Sequence, residues 1–187
     1  MKVGIIAEDD SDVAVLQAIT LKMLKPKVVG FRSFVGNGCG KLRRKCGAWA
    51  VNLVGGGCPC IVVVHDLDEY DASALRTQLS AAIAPARARF SVVLIPKREI
   101  EAWLLYDMGA IAKAFRETKT ARLHGNPENL RDPKGTLEDL VWKAYRKSYV
   151  NTVHNPQIAK HINITQLNTC KSFAPHPDFV AQLKKLL

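Results

Sequence analysis

Residues 61–71 read IVVVHDLDEYD. Four branched apolar residues in a row are the pattern of a strand buried on both faces, as in a parallel sheet covered by helices. Three aspartates and a glutamate then fall between positions 66 and 71. Like charges set this close repel one another, and a strand needs no such crowd to end. The stretch asks for a positive partner at its carboxyl end, and a divalent metal ion is the leading candidate.

Outward from it, the same kind of strand recurs. VGIIA (3–7) reads as a buried first strand, VVGFRSFV (28–35) as a second, CIVVV (60–64) as the third and SVVLI (91–95) as a fourth. Between the first two, Val13, Leu16, Ile19 and Met23 recur every three or four residues, which predicts a helix over 12–24 that Asp9, Asp10 or Ser11 can cap and Pro26 ends. A helix carrying Leu42, Trp49, Val51 and Leu53 runs to the glycines at 55–57, and DASALRTQLSAAI (71–83) reads as another. The order β-α-β-α-β-α-β implies an α/β domain with a parallel sheet of about four strands and helical crossovers. Ligands of such sheets bind beyond the carboxyl ends of the strands, where Glu8 and Asp66 both lie. From 99 the pattern changes: EIEAWLLYDMGAIAKAF reads as one helix, and shorter helices follow, broken by GNPENLRDPKG, HNP and APHPD. Residues 1–117 are expected to form the α/β core and 118–187 a helical subdomain packed on it.

The 187 residues, 48% of them apolar, suit one globular domain rather than a disordered chain. No apolar run approaches the roughly 20 residues that span a bilayer, and MKVGIIAEDD reaches its acids too soon for a signal peptide. A cytoplasmic protein without membrane attachment is expected. Net charge is +10, with Lys and Arg dominating 22–45, 87–98 and 113–147. Basic surroundings around acidic pockets suit a polyanion handled by a metal, and nucleic acid is the expected partner. GNGCGKLRRK offers glycine-freed amides with Lys41, Arg43, Arg44 and Lys45 for a nucleic-acid backbone, and Lys134 in RDPKG is a further phosphate contact. The loop lacks the Gly-Lys-Ser/Thr of a nucleotide-binding P-loop. Five cysteines, Cys39, Cys46, Cys58, Cys60 and Cys170, lack zinc-site spacing, and an odd number does not make a disulfide framework.

Three clusters carry the chemistry: AEDDSD (7–12), HDLDEYD (65–71) and REIEAW (98–103). Mg2+ and Mn2+ favour carboxylate oxygens and keep several waters, so carboxylates from separate strand ends make a natural site. Strand alternation would point Asp66 and Asp68 to the same side. A second ion about 4 Å away would clamp a phosphodiester in line. Plainer readings stand beside these. Asp12, Glu99 and Glu101 can each serve the positive end of a helix, and Asp66 and Asp68 can cap the next one, although Asp71 or Ser73 suffices. Glu99 and Glu101 face different ways if both are helical, so only one is expected at the site. His65 reads as a hydrogen-bonded structural residue. Ile100, Trp103, Leu104 and Ile111 read as a buried stripe.

A glutamate after the first strand and Asp-x-Asp after the third resembles the Toprim domain of topoisomerases, primases, small ribonucleases and OLD-family (overcoming lysogenization defect) nucleases. The resemblance covers residues 1 to about 110. EIEAWLLYD, DPKG and CKSF are similar to a narrower group of small Toprim-like proteins akin to RloB and the OLD nuclease domain. It implies metal ligands at Glu8, Asp66 and Asp68, with Asp12 and Glu101 as the further acids and Lys171 of CKSF as a late catalytic lysine. Asp9 stands where many Toprim domains have glycine. The implied function is a Mg2+- or Mn2+-dependent nuclease using one or two ions on DNA or tRNA, with an ATPase partner in phage defence; a second copy of the chain is a further candidate partner. The rivals are a non-catalytic regulatory or nucleic-acid-binding module on the same fold, and a phosphotransfer receiver built on Asp9, Asp10 and Asp66. The receiver pattern also expects a fifth strand, which the sequence does not supply.

Overall fold

The computed structural model describes all 187 residues. Four strands, β1 (Lys2–Ala7), β2 (Gly30–Val35), β3 (Cys60–Val64) and β4 (Phe90–Leu94), form one sheet in the order β2-β1-β3-β4. Every neighbouring pair is parallel. Nine α-helices flank the sheet: α1 (Asp10–Leu24), α2 (Cys39–Gly55), α3 (Ala72–Ile83), α4 (Glu101–Leu104), α5 (Met108–Ala114), α6 (Pro133–Tyr145), α7 (Asn151–His161), α8 (Ile164–Leu167) and α9 (Pro175–Lys184). None is long and apolar enough to cross a membrane.

The pleat divides the central strands between two apolar cores. Val3, Ile5 and Ala7 of β1, with Cys60, Val62 and Val64 of β3, enter a core of 33 buried residues shared with α1 and the helices after residue 100. Ile6, Ile61 and Val63 enter a core of 14 residues with α2 and α3. Burial on both faces is why these strands read as unbroken apolar runs rather than alternating ones. On the smaller face, Gly47 lets α2 lie against the end of α3: a Cβ there would stand 2.6 Å from the Ala82 carbonyl oxygen. Cys46, Cys58, Cys60 and Cys170 are buried thiols, and no two cysteines are bonded.

Residues 118–187 have no core of their own. Leu137, Val141, Ile158, Phe173 and Phe179 join the larger core, so the helical region completes one face of the sheet. Trp103 is fully buried within it; its indole N–H donates to Ser172 Oγ at 2.7 Å and its ring meets Phe173 edge to face. The expected single helix over 99–115 is two. Glu101 opens the four-residue α4, and Asp107 restarts the chain as the cap of α5, accepting the Ala110 amide N–H at 2.9 Å.

Candidate functional site

The chain leaves β1 for the β2 side of the sheet and leaves β3 for the β4 side. A crevice therefore opens between the carboxyl ends of β1 and β3, the place where open parallel sheets bind ligands. A cavity of about 270 Å³ lies there, lined by Glu8, Asp9, Asp12, Asn37, Gly38, Asp66, Glu99, Glu101, Lys134 and Asn151. Six of these ten residues are acidic, only Lys134 is cationic and none is apolar.

Glu8 ties the two strand ends together. Its Oε1 accepts the Asp66 amide N–H at 3.1 Å and lies 3.3 Å from His65 Nδ1. His65 is fully buried, and Nδ1–H donates to the Asp66 carbonyl at 2.6 Å. The histidine is thus structural, and it steadies both members of the acidic pair. Asp9 caps α1: its carboxylate accepts the Asp12 amide N–H at 2.9 Å, and Asp12 returns a bond from the Asp9 amide at 3.3 Å. With φ at −139°, Asp9 is ordinary extended backbone, so glycine is not required after Glu8. Asp12 serves the helix and the cavity together. Asp71, not Asp66 or Asp68, caps α3.

Burial pushes the carboxyls of Asp12 and Asp66 well up. For Asp12 the charges of Asp9 and Glu101 add to it; for Asp66 those of Asp12, Glu8, Glu101 and Asp68 do. Burial also raises Glu8, opposed by His65 and the Asp66 amide. Acids from three distant segments therefore bear on one another with little to neutralise them.

Several expectations change. Asp68 does not extend the strand: β3 ends at Val64, and Asp68 turns into the left-handed region (φ 48°), exposed and outside the cavity lining. Its charge still helps to raise the carboxyls of Glu8 and Asp66. Glu99 and Glu101 both line the cavity, because the helix begins only at Glu101 and helical spacing does not apply before it. Glu99 Oε2 accepts the Lys134 amide N–H at 2.9 Å, bringing the start of α6 to the crevice. Lys171 does not line the cavity. Its amide N–H and that of Ser172 donate to Glu128, each at 3.1 Å, and its side chain is exposed. Lys134, read from sequence as an outlying phosphate contact, is the lysine that does line it. Lys41, Arg43, Arg44 and Lys45 occupy the opening turns of α2, beside the cavity but not in its wall; Lys41, Arg44 and Lys45 are exposed, while Arg43 lies over the Tyr70 ring at 4.4 Å.

Sequence reading missed Asn37, Gly38 and Asn151 in the wall and Tyr149 and Asn155 behind it. Asn37 and Gly38 follow β2, so strand-end logic reaches them. Asn155 carried a fainter signal: a poor helix former inside a helix, just ahead of Pro156. Tyr149 lies against Glu101, and burial together with that charge holds its phenol far above the usual value.

The donor set is all oxygen and suits a hard divalent cation, for which one or two carboxylates plus waters suffice. No three His, Cys, Asp or Glu side chains stand close enough to hold an ion in this arrangement, so the acids form a rim rather than a closed cage.

No curated protein and no solved structure matches the chain. A family model described as "Domain of unknown function (DUF4276)" matches residues 40–183, from the start of α2 to the end of α9. That span covers most of the chain, which therefore belongs to the DUF4276 family.

Proposed function

We propose that this protein is a Mg2+- or Mn2+-dependent nuclease of Toprim type. The observation that carries the reading is the convergence of Glu8, Asp12, Asp66 and Glu101, from separate segments, on one polar cavity at the junction of β1 and β3, with Lys134 the one cationic residue in its lining. Burying carboxylates beside one another is costly unless a cation joins them. Glu8, Asp12, Asp66 and Glu101 are the residues from which one or two direct ligands would come, with water completing the shell. A bound divalent ion supplies Lewis acidity at a phosphoryl oxygen and a more acidic water as nucleophile. Around it, Lys134 offers charge to the phosphate, Asn37 and Asn151 offer neutral hydrogen-bonding groups, and His65 keeps Glu8 oriented. The exposed Lys41, Arg44 and Lys45 suit a nucleic-acid backbone following the groove. An ATPase partner and a role in phage defence enter the proposal through the resemblance to small Toprim-like proteins alone; a second copy of the chain and a cytoplasmic setting are carried over from the sequence reading.

One observation favours a second reading. Because no three acids are closely set, a module that binds nucleic acid or a partner through the same rim without cutting is the alternative. Incubating plasmid, single-stranded DNA and tRNA with the protein and Mn2+ separates the two. Cleavage should fall in Asp66→Ala by more than the roughly 100-fold that outer-shell changes reach, with the circular-dichroism spectrum intact, and by less in Asp68→Ala. Equal cleavage by wild type and both variants rejects the nuclease.

A further inference from the structure

Glu101 is held from behind. Tyr149 Oη lies 3.1 Å from Glu101 Oε1 and 2.5 Å from Asn155 Oδ1, two acceptors for its one proton, and the Asn155 side-chain amide donates to the same Glu101 oxygen at 3.0 Å. Asn155 donates its other proton to Ser11 Oγ at 2.8 Å, and Ser11 donates to the Asn151 carbonyl at 3.3 Å. Glu101, Tyr149, Asn155 and Ser11 are all buried. The direction of the chain is forced, because a reversed Asn155 amide would turn its oxygen onto the carboxylate. Such a network is a poor choice for packing alone: an asparagine inside α7 weakens the helix, and buried polar groups persist only when bonded. Its ends point at the cavity, since Glu101 and Asn151 line the wall and Ser11 precedes Asp12.

We propose that Tyr149 and Asn155 are positioning residues of the acidic cavity: by occupying Oε1 of Glu101 they leave Oε2 to serve it, so the helical C-terminal region sets the affinity for a divalent cation. The inference rests on the metal-site reading above. A carboxylate pinned through one oxygen presents the other in a fixed direction, with less freedom to lose on binding. Partners of this kind are worth about 10- to 100-fold in metal affinity.

Calorimetric titration of Mn2+ into the full chain tests it. Tyr149→Phe keeps the ring, and Asn155→Ala keeps the helix; each should weaken binding about 10-fold. In a Glu101→Gln background neither should weaken it further, because an effect exerted through Glu101 vanishes when Glu101 is changed. Unchanged affinity in the wild-type background, or the same loss in both backgrounds, overturns the proposal. If one variant fails to fold by circular dichroism, the other decides. Should wild type bind Mn2+ and Asp66→Ala abolish it while Tyr149→Phe and Asn155→Ala bind normally, only this inference falls. Should wild type take up no Mn2+, the metal site falls with it.

Discussion

The two faces of the sheet come from different kinds of sequence. The smaller core packs α2 and α3, the crossovers that lead into and out of β3, against β1, β3 and β4. The larger gathers α1 and then helices from residue 101 to 184, which return over long stretches of chain to the same strands. The smaller face supports the sheet and carries the exposed basic turns of α2. The larger face brings Glu101, Lys134 and Asn151 to the crevice. Local crossovers can make a parallel sheet, but the wall opposite the strand ends needs chain from far away.

This asymmetry should appear first in stability and metal uptake measured together. Trp103→Ala, in the larger core, should cost about 4 kcal/mol by urea denaturation and should also weaken Mn2+ binding, since α4 carries both Trp103 and Glu101. Leu79→Ala, in the smaller core, should cost about 3 kcal/mol and leave Mn2+ affinity unchanged. Equal effects on metal binding would mean that the faces do not divide the work.

A subtler effect concerns pH. Asp12 and Asp66 hold their protons more tightly folded than unfolded. Metal-free protein should therefore lose their contribution to stability as pH rises from about 4, the unfolded carboxyl value, through the higher folded ones. Asp66→Asn removes one of these groups, so its melting temperature should climb relative to wild type as pH rises, and Mn2+ should narrow the gap by stabilising wild type. A gap that shrinks with pH in the absence of metal would contradict the electrostatics of the cavity.

The smallest change in stability is expected on α2. Replacing Lys41, Arg44 and Lys45 together by alanine should alter stability by no more than about 0.5 kcal/mol, as surface changes do. The slope of log affinity for nucleic acid against log salt should fall by about 2 to 3 if these residues neutralise phosphates. An unchanged slope would take nucleic acid away from this helix.

The strands were legible because burial on both faces leaves long apolar runs that little else in a short chain produces. Glu8 and Asp66 were legible because they follow such runs directly, and strand ends are where parallel sheets bind. Asp68 was misjudged because alternation was carried past the end of β3, where the backbone already turns. Glu99 was underrated because a helix was assumed two residues too soon. Lys171 and Lys134 could not be ranked along the chain: each stands in a short polar stretch of sequence, and only the packing of α6 against the crevice, with Glu99 receiving the Lys134 amide, distinguishes them.

Hydrophobic periodicity and charge placement were enough to establish a parallel α/β sheet with acids at its central strand ends, since both are properties of neighbours in sequence. Which acids share a cavity, which lysine joins them, and that Tyr149 and Asn155 grip Glu101 were settled only in three dimensions. Those contacts join residues about 50 to 140 positions apart, and the closing of such loops, which depends on the whole core, leaves no periodic trace in the chain.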